Sequence, residues 1–519
     1  MKVLSRVLLA AVVVVLTSAP ALASRFIVAG ADAGGGPHVV IRFDADNNGT
    51  FETISDSFYA FVPASPGAPL FTGGVRVATG DFYGDGNDEL ITAQGPGGNL
   101  VRVWSLTPGG KVAALREEFA PFGAFAGGIF VAAGDFDNDG RAELVTAADA
   151  GGGPFVIIWR DGNRDGRVSD EPPLAAFFAY TPGFSGGVRV AAGNVNNAGG
   201  SELITAPGPG GGPDIRVFTW NGSAFTLADE FFAYNPAFTG GVYVAAGAIE
   251  GAGNGGAEII TAPGPGGGPD IRIFTDSNNN GRVSDDPLFD EFFAYTPGFT
   301  GGVRVAAGDT DGSGFFVEVV TVPGPGGGPH VRLFDDNGDP GARLSDNPTS
   351  DEFFAFDPAW GGGAFLAVGV ANSAAFALNS LPIIIPDVST VNAVICVPPG
   401  MGVIKKLEVG LGISHSFDGD LDVTMTNLST GASLVLFHDV GGTNEGFIIT
   451  LSDTAGTDIG GASNPKVDGP IVGTFKPETP ATLTIFNGQP ASGCWMLTIT
   501  DDSGGDTGML FDWVLYFRF

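Results

Sequence analysis

The chain repeats itself, and the repeat limits what it can fold into more than any other feature. A Gly-Gly pair leading into an alternating segment occurs at Gly73-Gly74-Val75, Gly127-Gly128-Ile129, Gly186-Gly187-Val188, Gly240-Gly241-Val242, Gly301-Gly302-Val303 and Gly361-Gly362-Gly363. The intervals are 54, 59, 54, 61 and 60 residues. A second, Gly-Pro-rich anchor occurs at 34–38, 95–100, 151–155, 210–214, 266–270 and 326–330. A third is Phe-Phe-Ala-Tyr or a close variant at 58–61, 177–180, 231–234, 292–295 and 353–356, with a degenerate copy at 118–121. A unit that recurs at this period buries its apolar face against its neighbours, not by itself.

Each unit reads as four short strands. In the fifth they are expected over 303–307, 317–322, 331–334 and 352–356. Apolar residues alternate in most of them, as half-buried strands require, and Gly, Pro and Asn fill the gaps. Four strands per unit is the arithmetic of a β-propeller blade. Residues 26–31 look like a second strand, and the sixth Gly-Gly anchor is followed by one strand over 364–368. The two partial units make one whole. The expectation is an all-β protein with a six-bladed propeller over 24–370, closed by N-terminal strands joining a C-terminal strand. Closure hides the sheet edges.

The chain has 519 residues and a formal net charge of −33. That balance argues against a nucleic-acid partner, whose phosphates need a cationic surface. With 84 Gly and 36 Pro but no Gly-X-Y period, collagen is excluded. A hydrophobic content of 44% excludes general disorder. Lys2 and Arg6 precede an apolar run over 7–16, and Ala21-Leu22-Ala23 fits a cleavage site. Residues 1–23 are therefore read as a secretory signal peptide, too short for a membrane span. The apolar stretch 364–385 contains Asn372, Asn379 and Pro382 and is read as the closing strand followed by a linker over 371–386. The protein is expected outside the cell or on its surface, with no membrane span.

Acidic loops follow the first strand of several units. Asp135, Asp137, Asp139 and Glu143 stand at positions 1, 3, 5 and 9, with Gly140 at 6. Oxygen ligands at this spacing, around a glycine turn, suit Ca²⁺. Asp81, Asp85 and Glu89 keep part of the pattern, as do Asp309, Asp311 and Ser313, while Asn194, Asn196 and Glu202 are a weaker copy. A second set follows the third strand: Asp44, Asp46 and Asn48; Asp161, Asn163 and Asp165; Asp276, Asn278 and Asn280; Asp335, Asn337 and Asp339. These are not EF-hands, because Pro172 and Pro287 occupy position 12 where a bidentate Glu is needed. The alternative is Asx-rich turns without metal. The segment from Ala133 to Gly140, with Glu143-Leu144-Val145-Thr146-Ala147 after it, resembles the integrin-α-like repeats known as FG-GAP or VCBS repeats. The resemblance recurs over about residues 25–370 and implies a secreted ligand-binding or adhesive propeller with calcium in blade loops.

After Pro382 the repeat vanishes. Residues 387–519 suffice for one β-sandwich. His415-Ser-Phe-Asp418-Gly-Asp420-Leu421, Phe486-Asn-Gly488, Gly493-Cys494-Trp495-Met496-Leu497, Asp501-Asp502, Gly505-Asp506-Thr507-Gly508 and Trp513 resemble the P domain (P/Homo B domain) of proprotein convertases. That resemblance implies a jelly-roll sandwich. In convertases the domain follows a subtilisin-like protease; here propeller repeats precede it. Asp418, Asp420, Asp422 and Asp506 form a further candidate Ca²⁺ set, with a solvated acidic turn as the equal alternative. Cys396 and Cys494 are expected to pair in an exported protein, the alternative being two free thiols.

A serine hydrolase needs a nucleophile, a base and an orienting acid. Gly183-Phe-Ser185-Gly-Gly187 matches Gly-x-Ser-x-Gly, but Thr72, Thr239 and Thr300 stand at the equivalent place in other units. His38 and His330 share one repeat position with Asp214 and Asp270. No catalytic residues are assigned. The Phe-Phe-Ala-Tyr strands, which alternation splits into Phe231/Ala233 and Phe232/Tyr234 faces, are read as packing between blades in preference to a sugar-binding surface. The chain is read as a calcium-supported, non-catalytic propeller that binds an extracellular protein or glycan. The alternative is a protease-associated protein, or a divergent serine endopeptidase, linked to proteolysis through its P-domain-like module.

Overall fold

The computed structural model describes residues 24–518 except 45–49, 52, 63–68, 85, 108–109, 164–165, 250–255, 279, 311–316, 336–343, 345–350, 372, 378–381, 398–402, 442–445, 454, 456 and 462–470. The proposed signal peptide, Asp46, Asn48, Asp85, Asp165, Asp311, Ser313, Asn337 and Asp339 lie outside the described residues. Two compact units are present, Ala23–Asn372 and Ser373–Phe519.

Among the described residues, the first unit contains six four-stranded antiparallel sheets. Five are built from consecutive strands. The inner strands of these five are Val75–Gly80, Ile129–Gly134, Val188–Gly193, Val242–Gly247 and Val303–Gly308. The sixth sheet pairs Ala364–Ala371 with Ser24–Ala31, then adds His38–Asp44 and Thr53–Tyr59. The inner strands touch one another in a closed cycle, with Ala364–Ala371 meeting both Val303–Gly308 and Val75–Gly80. Across that last contact the Thr79 hydroxyl donates to Val368 O at 2.6 Å.

The repeat residues explain why the cycle is tight. Five of the six inner strands end in glycine. A Cβ added at Gly80, Gly134 or Gly193 would lie 2.6, 2.5 or 2.7 Å from the Cβ of Ala133, Ala192 or Ala246 in the next inner strand. The second anchor ties neighbouring sheets together: Gly151 N donates to Ser185 O at 2.8 Å, and Gly210 N to Thr239 O at 2.8 Å. Both glycines hold φ above 90°, where a side chain would be strained.

The third anchor behaves as packing between sheets, with one exception. Phe177 meets Phe218 of the following sheet edge-on, and Phe231 and Phe292 pack tilted against Phe274 and Phe334, at 5.1, 4.7 and 4.7 Å between centroids. Tyr180, Tyr234 and Tyr295 donate their hydroxyls to Asp214 O, Asp270 O and His330 O. The second ring of the motif is different: Phe178, Phe232 and Phe293 are half exposed. The expected sharing of one face by Phe232 and Tyr234 does not hold, because the strand ends at Phe232 and the chain turns Tyr234 inward.

The second unit has two sheets around one apolar cluster that contains Trp495, Trp513, Phe437, Phe447, Phe486 and Phe517. One sheet orders Thr390–Val397, Gly493–Asp501, Leu421–Asn427 and Ser433–His438. The other orders Ser373–Ala377, Gly508–Arg518, Lys406–His415, Phe447–Leu451 and Ile471–Phe475. Cys396 and Cys494 are directly opposed on neighbouring strands and form a disulfide. The linker assigned to 371–386 is corrected: Ser373–Ala377 and Ile383–Ile385 both pair with Gly508–Arg518.

The inner-strand glycines yield a direct test. Adding one methyl group to a packed contact costs about 1–3 kcal/mol. Gly193→Ala is expected to lower stability by about that amount, seen as a lower urea midpoint with unchanged slope. An unchanged midpoint would show that the inner strands are not in close contact there.

Candidate metal centre

The 135–143 loop links an inner strand to a second strand in one hairpin, closed by the facing pair Gly134 and Glu143. Asn138 and Gly140 take positive φ, 59° and 84°, which folds the loop back on itself. The Asp135 carboxylate accepts from Asp139 N at 3.1 Å and Gly140 N at 2.9 Å. Glu143 accepts from Phe136 N at 2.8 Å and is 1% exposed. Asp135, Asp137 and Glu143 each present an oxygen within 4.8 Å of the other two. This is the one such group of three or more among the described residues.

Two of these carboxylates, Asp135 and Glu143, hold their charge badly in this partly buried turn. Burial is the main cause that pushes Glu143 up to about 8, and the charges of Asp137, Asp135 and Asp139 add to it. Burial also raises Asp135, against hydrogen bonds from the backbone. Arg160 Nη1 donates to Asp137 Oδ2 at 2.9 Å and offsets part of the charge. Asp137 Oδ1 is buried with no hydrogen-bond partner. A cation with hard oxygen preference fits this donor set through Asp135, Asp137 and Glu143. Asp139 stands outside the group and accepts from Arg141 N instead. Beside the loop is a cleft of about 490 Å³ lined in part by Asp137, Arg160, Asn196, Glu202 and Trp220.

The other sheets repeat the buried glutamate more faithfully than the aspartates. Glu89, Glu202 and Glu258 accept from Phe82 N, Val195 N and Ile249 N, and Glu318 accepts from Thr310 N. Glu258 and Glu318 escaped the spacing argument, which looked for the aspartates first. Their signal is the repeated Glu, two apolar residues and Thr that opens the second strand of five sheets. In the first sheet Asp81 accepts from Gly86 N at 2.6 Å, and burial pushes Glu89 to about 9. In the third, Asn196 replaces an aspartate and donates to Glu202 at 2.6 Å. In the fifth, Asp309 is paired with Arg25 at 2.5 Å.

The third-strand loops close around their first aspartate. Asp161 accepts from Gly166 N at 2.8 Å, and Asp276 from Asn280 N at 3.0 Å and Gly281 N at 2.6 Å. Asn278 and Asn280 donate to Asp286 and Asp285. Asp44 is fully buried. Asn163 and Asp335 also have partners. A carboxylate from the preceding sheet holds two of these loops: Glu117 accepts from Val168 N and Ser169 N, and Asp229 from Val283 N and Ser284 N.

In the second unit the four candidate aspartates do not gather into a group like that of Asp135, Asp137 and Glu143 among the described residues. Asp418 is buried and accepts from Gly446 N at 2.9 Å. Asp506 accepts from the Ser416 hydroxyl at 2.8 Å. Asp422 lines a cleft of about 530 Å³ with His438 and Glu478, and Asp420 opens the following strand through the 3-10 turn Asp418–Asp420. Ser185 is a turn residue whose carbonyl receives Gly151 N, as the carbonyls of Thr239 and Thr300 receive Gly210 N and Gly266 N. His38 meets the Ser57 hydroxyl at 2.9 Å, with no carboxylate ion-paired to that ring among the described residues.

Models of FG-GAP repeats match this chain at residues 81–146 and 127–169, which include the 135–143 loop. No curated protein matches it. Solved structures that resemble it include an Agrocybe aegerita lectin described as recognising non-reducing terminal N-acetylglucosamine. That likeness has 17% identity, covers 69% of this chain and 82% of the lectin, and has a TM-score of 0.36. The Dos1 propeller matches at 11% identity over 64% of this chain and 73% of its own, TM-score 0.33. A rhamnogalacturonan lyase from Bacillus licheniformis matches at 15% over 67% and 69%, TM-score 0.31.

The raised Glu143 gives a pH dependence with a definite sign. Between the ordinary carboxyl value and about 8, the folded chain holds a proton that the unfolded chain has lost. Stability then falls as pH rises through that window. In EDTA, the melting temperature is expected to drop from pH 5 to pH 8.5, and Glu143→Gln to flatten part of that drop. Equal slopes in wild type and variant would remove Glu143 as the cause.

Proposed function

We propose that this chain is an exported, calcium-supported binding protein without catalytic activity of its own. Its first unit is read as a six-bladed propeller and its second as a jelly-roll module of the P-domain type. The observation that carries the reading is the convergence of Asp135, Asp137 and Glu143 within 4.8 Å, on the loop that the FG-GAP repeat models match. Ca²⁺ would be held by these carboxylates and would offset the burial, and the added repulsion from Asp137, Asp135 and Asp139, that raise Glu143.

Other features support the remaining parts. The closed cycle of inner strands supports six blades. Two sheets around one apolar cluster support the sandwich. The apolar run after Lys2 and Arg6, together with the Cys396–Cys494 disulfide, supports export to an oxidising compartment. The partner is read as an extracellular protein or glycan, and the cleft beside the 135–143 loop is the favoured place for it.

Calorimetry in Ca²⁺ and in EDTA tests the reading. A cation that binds only the folded loop stabilises it by about 2.7 kcal/mol at one hundred times Kd. EDTA is expected to lower the melting temperature of wild type, and the double variant Asp137→Ala, Asp139→Ala to lose part of that sensitivity. Identical melting of wild type in both buffers would make the acidic loops ordinary Asx turns.

A further inference from the structure

The second unit has a cleft of its own, about 530 Å³, in which the proposed calcium loop plays no part. Its lining comes from two places. One is the neighbouring strands Leu421–Asn427 and Ser433–His438, the second of which is the last strand of its sheet. Their register sets Asp422 opposite His438 and Thr424 opposite Val435. The other is the segment 478–481. That segment is pinned to the last strand: Glu478 N donates to Leu436 O at 2.9 Å, and Glu478 Oε2 accepts from His438 N at 3.0 Å.

Two carboxylates line the cleft, and they are unequally satisfied. Glu478 engages one oxygen: Oε2 also meets His438 Nδ1 at 2.5 Å, and Oε1 has no hydrogen bond among the described residues. The Asp422 carboxylate has neither a hydrogen bond nor an ion pair among the described residues. Burial first, then the charges of Asp439 and Asp502, raise its pKa above the usual aspartate value, and His438 works the other way. No Lys or Arg is among the lining residues. The remainder of the lining includes the apolar Leu434, Val435, Pro480 and Ala481. Val435 is 49% exposed. An aliphatic side chain left half in water, in one cleft with an unpaired carboxylate, matches an occupant that is apolar along its length and cationic at its tip.

We propose that this cleft takes an arginine side chain of a partner protein. The guanidinium fork pairs with the Asp422 carboxylate, Glu478 Oε1 is a further acceptor, and the methylenes of the stem cover Val435 and Pro480. The same carboxylates repel an anion, and a purely apolar occupant would dry Asp422 without pairing it. A metal ion is a poorer match, because Asp422, His438 and Glu478 do not bring three ligand atoms within 4.8 Å of one another. The site needs neither the acidic loops of the first unit nor calcium.

Titrations of the full chain in EDTA at constant ionic strength, followed by the His438 imidazole resonance, test this with three probes: acetyl-Gly-Arg-Gly-amide, the same peptide with citrulline for arginine, and methylguanidinium. The resonance is assigned with His438→Gln. The arginine peptide is expected to shift it saturably. Citrulline keeps the shape without the charge and is expected to bind about tenfold more weakly. Methylguanidinium keeps the charge without the stem and is expected to lose about tenfold as well. Asp422→Asn is expected to weaken binding of the arginine peptide about tenfold, and Val435→Ser about threefold. The proposal is overturned if the arginine peptide does not bind, or if the citrulline peptide binds equally well. It is overturned too if methylguanidinium matches the peptide, which identifies a small free cation, or if Asp422→Asn or Val435→Ser leaves the affinity unchanged. Val435 is exposed, so its substitution decides the matter even if Asp422→Asn does not fold.

Discussion

Close approach of the inner strands is the constraint on which the first unit depends. Side chains larger than glycine at Gly80, Gly134 or Gly193 would collide with an alanine Cβ of the neighbouring inner strand. The inner strands contact one another in turn, so the sheets form one closed cycle. The strand that closes it, Ala364–Ala371, pairs in register with Ser24–Ala31 over eight residues. Distant parts of the sequence therefore become one sheet.

Buried polar groups are organised around that contact. Each glutamate that opens a second strand accepts a backbone N–H from the loop before it, which shapes the loop independently of any ion. Between sheets, Glu117 and Asp229 receive two backbone N–H groups each from the following sheet. These charges are engaged in fixing neighbouring sheets to one another. The 135–143 loop differs because it adds Asp137 to this scaffold, one of whose oxygens has no partner. A structural turn thereby presents three converging carboxylates.

Much of this was legible in the sequence. The three anchors marked the units, and their glycines have the strained φ or the close contacts that require glycine. Spacing also picked out Asp135, Asp137 and Glu143, because the eight-residue loop between the paired strands turns back so that its first and third residues meet the first residue of the next strand. The same spacing placed Asp139 with them, yet its side chain accepts from Arg141 N in the turn. Local pattern locates a loop; it does not decide where each oxygen points. The short strands Ser373–Ala377 and Ile383–Ile385 read as a linker because their partner, Gly508–Arg518, lies more than a hundred residues away.

What the sequence determined by itself is the repeated β unit, its punctuation and the supply of acidic side chains. Those follow from local steric rules for Gly and Pro and from period-two alternation, which need no neighbour. Only the tertiary structure decided which side chains share a layer. Arg76, Arg189 and Arg304 occupy one repeat position, over a hundred residues apart, and their sequence surroundings are nearly alike. Burial in one ring makes them interact, and the aspartates of neighbouring sheets then neutralise two of them. The physical reason is that counter-charge is set by distance in space in a medium that screens poorly, and the chain's order carries that distance only after the cycle has closed.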